Sequence, residues 1–273
     1  MAYHYKFGTE YEGNTHDEVR AACALLGAEN VTLKIGGPDA RNDLALAAEL
    51  GLARVIAPMV ESCYAVRVFD EACRAVGYEG TRGIMVETVH AWAQLAAILD
   101  AAAAALVDHV TIGRSDLAES FGQRVEQMDP MVGMAWEMAS VAGLDVSVGG
   151  KITPGEAVEL RGLGVTSMNT RHVYFSCPDD DTTFARAATI AALNEEARVL
   201  CELAMELPAR GAVLVEMARQ AQKRRQDLVR KADVRTAGPV WKSELTRIAV
   251  EGHGELRRGL HLVGPEIKLG GAV

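Results

Sequence analysis

Short β-branched apolar runs alternate with longer stretches of helical period along the first two thirds of the chain. The runs at residues 5–10, 31–35, 54–62, 83–89, 110–116, 145–150 and 165–171 read as strands. Helical segments lie between them. The stretch from Asn14 carries a cap and the early acids Asp17 and Glu18, and its amphipathic pattern runs to Leu26. Residues 40–50 close at Gly51, and residues 64–76, 95–105 and 131–143 repeat the period. A further start stands at Thr153, with Pro154 in the first helical position.

The positions Lys34, Pro58, Glu87, Asp116, Gly149 and Arg171 fall 22 to 33 residues apart, close to the ~30 residues of a strand-helix unit. Alternation at this period predicts a parallel sheet with right-handed crossovers, and hence a TIM-type (β/α) barrel. Seven strands are legible, one short of a closed eight. Either the barrel is open or atypical at its start, or an unmarked segment supplies the eighth strand.

Within the strands the period is two. Val31, Leu33 and Ile35 share one face and Thr32 and Lys34 the other. In a barrel the apolar face meets the helices, so Lys34 points inward near the open end; on an edge strand it would be a snorkelling surface lysine. Met85 and Glu87 share a face, as do Asn169 and Arg171.

Beyond Asp181 the pattern becomes helical throughout, over residues 182–207 and 209–231, divided at Pro208. This sets a barrel domain at 1–178 and a helical C-terminal extension at 179–273. The basic run Lys223-Arg224-Arg225 reads as a solvated helix face. Leu193, Val199, Leu200, Leu203, Leu214 and Met217 need cover from the barrel or from a neighbouring subunit, which predicts a homo-oligomer.

Composition narrows the classes. With 28 basic and 37 acidic residues the formal charge is −9, which argues against a nucleic-acid binder but not against a locally basic site for a small anion. The five cysteines are odd in number, lack C-x-x-C spacing, and read as reduced thiols. Neither a signal segment nor an apolar run of ~20 residues is apparent, so the expectation is a cytoplasmic protein with no membrane partner.

Candidate chemistry gathers at two strand ends, Glu87 and Asp116. Carboxylates at the carboxyl ends of neighbouring parallel strands can share one divalent cation, or they can simply serve as acids at strand-to-helix turns. The histidines His90, His109 and His172 read as helix-start or packing residues rather than bases.

Five motifs occur in order: Lys34-Ile35-Gly36-Gly37-Pro38, Ala57-Pro58-Met59-Val60-Glu61-Ser62, Val86-Glu87-Thr88, Gly113-Arg114-Ser115-Asp116 continuing through Ser120-Phe121-Gly122, and Asn169-Thr170-Arg171. Together they resemble the HpcH/HpaI aldolase and citrate lyase family of the phosphoenolpyruvate and pyruvate barrel superfamily, over roughly residues 5–175. The resemblance implies Mg2+ or Mn2+ on Glu87 and Asp116, and a 2-oxo acid such as pyruvate or oxaloacetate as substrate. It also implies carbon–carbon bond cleavage or formation through an enolate, with citrate-synthase-like or acyl-CoA lyase activity as the variant. The alternative is a barrel that binds metal and oxo acid without catalysis. On this reading Lys34, Arg114, Glu10 and Glu12 are the catalytic candidates, and Arg171, Asn169, Gly36, Gly37 and Ser120 line the substrate. Arg114, Asn169 and Arg171 are equally open to a role as structural partners. Three positions depart from the family pattern: Lys34 replaces an arginine, Met85 stands where a glutamine is usual, and Glu10 and Glu12 occupy the neighbourhood of the missing acid/base histidine.

Overall fold

A computed structural model describes residues 3–178, 182–207 and 210–226. Its sheet is a closed barrel of eight strands in chain order. These are β1 (His4–Gly8), β2 (Val31–Lys34), β3 (Arg54–Ala57), β4 (Thr81–Val86), β5 (His109–Gly113), β6 (Asp145–Gly149), β7 (Ser167–Asn169) and β8 (Val173–Ser176). Strands β1 to β7 run parallel, with registers such as Lys34 beside Ile56 and Gly113 beside Gly149. The eighth strand is reversed, pairing antiparallel with both β7 and β1.

That reversal accounts for the count of seven. Only Thr170, Arg171 and His172 separate β7 from β8, whereas a parallel crossover needs a dozen residues or more. Three residues permit only a hairpin, which the paired bonds between Thr170 and Val173 close. The barrel is therefore complete at its start and atypical at its end. Arg171, expected to extend the last strand, sits instead on the hairpin.

Helices α1 (His16–Leu26), α2 (Arg41–Leu50), α3 (Cys63–Ala75), α4 (Val89–Ala93), α5 (Leu95–Ala104), α6 (Arg114–Ser120), α7 (Asp129–Val141) and α8 (Pro154–Gly162) follow the strands in turn. Their ends obey local chemistry. Thr15 and Glu18 form a reciprocal capping box on α1, Gly51 closes α2 in the left-handed region, and Thr153 caps α8 ahead of Pro154. Two long helices follow, α9 (Thr182–Glu206) and α10 (Gly211–Gln226).

Helix α9 packs on α8, β8 and α1, where it fills the gap in the outer layer, and α10 packs on α9. Leu193, Val199, Leu200, Leu203 and Leu214 are buried by these contacts. The apolar face expected to bind a neighbouring subunit is thus covered by the chain's own barrel and helices. The part of the extension from residue 227 to 273 lies outside the described residues.

The apolar core divides in two. Leu33, Val55, Ile84, Ile112 and Val148 belong to the large layer between strands and helices, while Ile56, Met85 and Tyr174 form a small separate cluster inside the barrel. TIM barrels normally fill their interior with branched apolar side chains. Here Lys6, Thr32, Lys34, His109, Thr111, Ser147 and Asn169, on the alternate strand positions, are all buried polar groups. Such groups must find partners inside the barrel or hold ligands at its mouths.

Candidate active site

The carboxyl ends of the parallel strands gather the Lys34 ammonium and the carboxylates of Glu10, Glu12, Glu87 and Asp116. Lys34, the last residue of β2, is 6% exposed, as the inward reading required. Its Nζ lies 2.6 Å from Glu10 Oε2 and 3.7 Å from Glu12 Oε2. Burial disfavours the ammonium, yet Glu12, Glu10 and Glu87 together hold its pKa above the ordinary lysine value. For Glu12 burial also acts against the charge, and Lys6, Lys34 and His172 more than offset it, so its carboxyl lies below the ordinary value.

Lys6 escaped the sequence reading. It is buried on β1 and acts on Glu12. The signal was present: His4, Lys6 and Gly8 alternate with Tyr5 and Phe7, the same inward-charge pattern that marked Lys34.

Glu87 stands one residue past the end of β4 and is 2% exposed. Its Oε1 accepts a 2.8 Å bond from the Met59 amide. Met59 adopts a φ of 54°, an uncommon conformation for a non-glycine residue, directly after Pro58. The backbone of the β3 loop thereby points a donor at the carboxylate. Glu87 Oε2 is buried and has no hydrogen-bond partner among the described residues. Burial pushes the Glu87 carboxyl up to about 7, and the adjacent Asp116 carboxylate adds to the rise.

Asp116 is not on a strand end as the pattern suggested. It lies in the first turn of α6, exposed, where the helix dipole favours an anion. The two acids nevertheless approach each other. Among the described residues no group of three or more His, Cys, Asp and Glu side chains could hold a metal, so any cation here has this pair alone. The donor set fits a hard divalent ion: one buried carboxylate oxygen lacks a partner, and Mg2+ is typically held by one or two carboxylates with water or substrate completing its shell.

Glycines set the packing of the site. A Cβ on Gly113 would stand 2.8 Å from Glu87 Cβ and 2.9 Å from its Oε2. A Cβ on Gly149 would meet Asn169 Oδ1 at 2.4 Å. Each glycine thus makes room for a side chain on a nearby strand. Asn169 is 2% exposed and donates to Ser147 Oγ at 3.4 Å.

The remaining candidates are placed differently. Arg114 is fully buried, with Nη2 2.9 Å from Glu156 Oε1 and Nε 3.6 Å from Asp129 Oδ1, so acids behind the site take up its charge. Ser120 Oγ accepts the Val89 amide at 2.8 Å and so ties α6 to α4. The Gly36 amide donates to Asp43 Oδ2 at 2.8 Å, and Gly37 follows in the same loop with an exceptional φ of 151°. Arg171 stacks over the exposed Tyr11 ring at 5.3 Å, on the rim beside the Glu10 and Glu12 loop. His172 is buried with Nδ1 3.0 Å from the Lys6 carbonyl, a packing role as expected.

No protein-family model matches the chain, and no curated protein matches it in sequence. Among solved structures it is similar to citrate synthase SbnG, at 15% identity over 60% of this chain and 75% of that one, with a TM-score of 0.48. It is similar to RipC from Yersinia pestis, at 15% identity over 67% and 86% of the two chains, with a TM-score of 0.49. It is also similar to an HpcH/HpaI aldolase from Desulfitobacterium hafniense DCB-2, at 17% identity over 60% and 75%, with a TM-score of 0.48. The barrel assignment rests on the chain's own strand pairing. No described helix is long and apolar enough to cross a membrane.

Proposed function

We propose that this barrel is a carbon–carbon lyase or synthase that works through the enolate of a small 2-oxo acid such as pyruvate or oxaloacetate. The observation that carries the reading is the buried Glu87 carboxylate, which meets Asp116 on one side and the field of the buried Lys34 ammonium on the other, at the carboxyl mouth. The five sequence motifs that resemble the HpcH/HpaI aldolase and citrate lyase family support it.

Glu87 and Asp116 are the residues that would hold Mg2+ or Mn2+, whose contribution would be Lewis-acid stabilisation of negative charge on the oxo-acid oxygens. The protein's own share follows from its charges. Bond making or breaking beside a carbonyl develops an oxyanion, and a fixed donor in a water-poor site stabilises it without reorganising. Lys34 is that donor, kept protonated by Glu10 and Glu12. The same ion pairs oppose a Schiff base, which requires a neutral amine. Glu10, the more exposed of the two acids on Lys34, would exchange a proton with the substrate carbon. Asn169 and Arg171 would orient the carboxylate, one from within the barrel and one from the rim.

The test is exchange of the pyruvate methyl protons for deuterium, followed by NMR with Mn2+ added. Enolisation that requires Mn2+, and that falls in both Glu87→Gln and Asp116→Asn, is the expected result. Absence of exchange under all conditions would leave a barrel that binds without catalysing.

A further inference from the structure

The amino-terminal mouth of the barrel, opposite the candidate active site, holds a polar cavity of about 460 Å³. Its walls come from the first residues of β1, β3, β5, β6 and β7, from Trp136 and Ser140 of α7, and from β8, whose reversed course brings Phe175 and Ser176 to this end. Three lining side chains carry a buried polar atom with no hydrogen-bond partner: His4 Nδ1, Arg54 Nε and Tyr174 Oη. Tyr174 is 5% exposed as a whole residue, so its hydroxyl is a nearly enclosed donor with no partner among the described residues.

An enclosed polar atom without a partner loses its hydration and gains nothing in return. Native structures satisfy nearly all such groups with protein, ordered water or a ligand, and here three of them face one cavity. Arg54 decides the sign of the charge. None of the ion pairs among the described residues includes Arg54, and its guanidinium lies 5.7 Å from the centroid of the Tyr174 ring. An arginine remains charged at any physiological pH and its planar fork matches carboxylate and phosphate oxygens. Asp145 is the only acid lining the cavity, and its residue is exposed. His109, also in the wall, is committed to Thr111 and Ser147 through Nε2.

We infer that this cavity binds a small oxyanion, a carboxylate or phosphate compound, with Arg54 as counter-charge and Tyr174 Oη and His4 as hydrogen-bond donors. The volume falls within the range of small-molecule sites and exceeds what a lone ion needs, so the anionic group belongs to a larger molecule.

Titration calorimetry on the full chain with inorganic phosphate and with succinate tests this, since the two probes separate the two headgroups. One saturable site for at least one probe is expected, weakened tenfold or more by Arg54→Gln and several-fold by Tyr174→Phe. Lys34→Met, at the other mouth, should leave that affinity unchanged. Tyr174→Phe keeps the ring and its packing, so it tests the site even if Arg54→Gln fails to fold. The proposal is overturned if neither probe saturates a site, if Tyr174→Phe binds like the parent, or if Lys34→Met abolishes binding.

Discussion

Replacing Gly113 by alanine should damage the candidate site more than the fold. The added Cβ would lie 2.8 Å from Glu87 Cβ and 3.4 Å from Met85 Cε. Carbon atoms pack at about 3.5–4.0 Å, so Glu87 must retreat by roughly 0.7 Å or more, a figure set by that contact distance. The backbone is not the obstacle, because Gly113 has φ −88° and ψ 86°. Overpacking costs about 1–3 kcal/mol, and the reduced entropy of the unfolded chain returns about 0.4–1 kcal/mol. The net loss expected therefore lies between about 0 and 2.6 kcal/mol, about 1.3 kcal/mol at the middle of both ranges. Enolisation should fall much further, about 10²-fold, since misplacement of a catalytic group by about 1 Å has that effect. Gly162, at the end of α8, is the control: nothing lies within 4 Å of its Cβ position, so Gly162→Ala should be neutral or stabilising. Urea denaturation and pyruvate deuterium exchange measure the two quantities. A Gly113→Ala protein with parental stability and exchange rate would refute the packing argument.

Lys34→Met should lower turnover by about 10²–10³, the usual effect of losing one oxyanion donor, and borohydride with pyruvate should leave the mass of the parent protein unchanged. A trapped adduct on Lys34 would make this a lysine-dependent aldolase. Arg114→Met removes the buried cation that pairs with Glu156 and Asp129 and should cost up to about 3–5 kcal/mol in urea denaturation; a stable variant with only a raised KM would return Arg114 to the substrate. Burial, with Arg54 nearby, lowers the His109 pKa from 6.5 to about 3. The unfolded chain therefore takes up this proton first, and stability should fall as pH drops below about 6.5, by up to about 1.4 kcal/mol per unit until about pH 3. His109→Gln should flatten that slope in urea denaturation at successive pH values, and an unchanged slope would count against the assignment.

Local chemistry was enough for the elements and for part of the site. The strand and helix periods located seven strands, and the caps at Thr15, Gly51 and Thr153 fixed helix ends, because these effects act over one or two turns of chain. Alternation alone put Lys34 inside, since an apolar strand face must meet the helices. Lys6 and Arg54 carried the same signal on β1 and β3. Tertiary structure decided what depended on distant partners. The direction of β8 follows from the three-residue link after Asn169, but its closure on β1 appears only when the barrel is formed. Arg114 stands in a site motif by sequence, yet Glu156, 42 positions later, claims its charge. The Met59 amide that holds Glu87 and the donorless oxygen beside Asp116 likewise exist only once β3, β4 and α6 are side by side, because a hydrogen bond or an unpaired charge depends on proximity in space that spacing along the chain does not record.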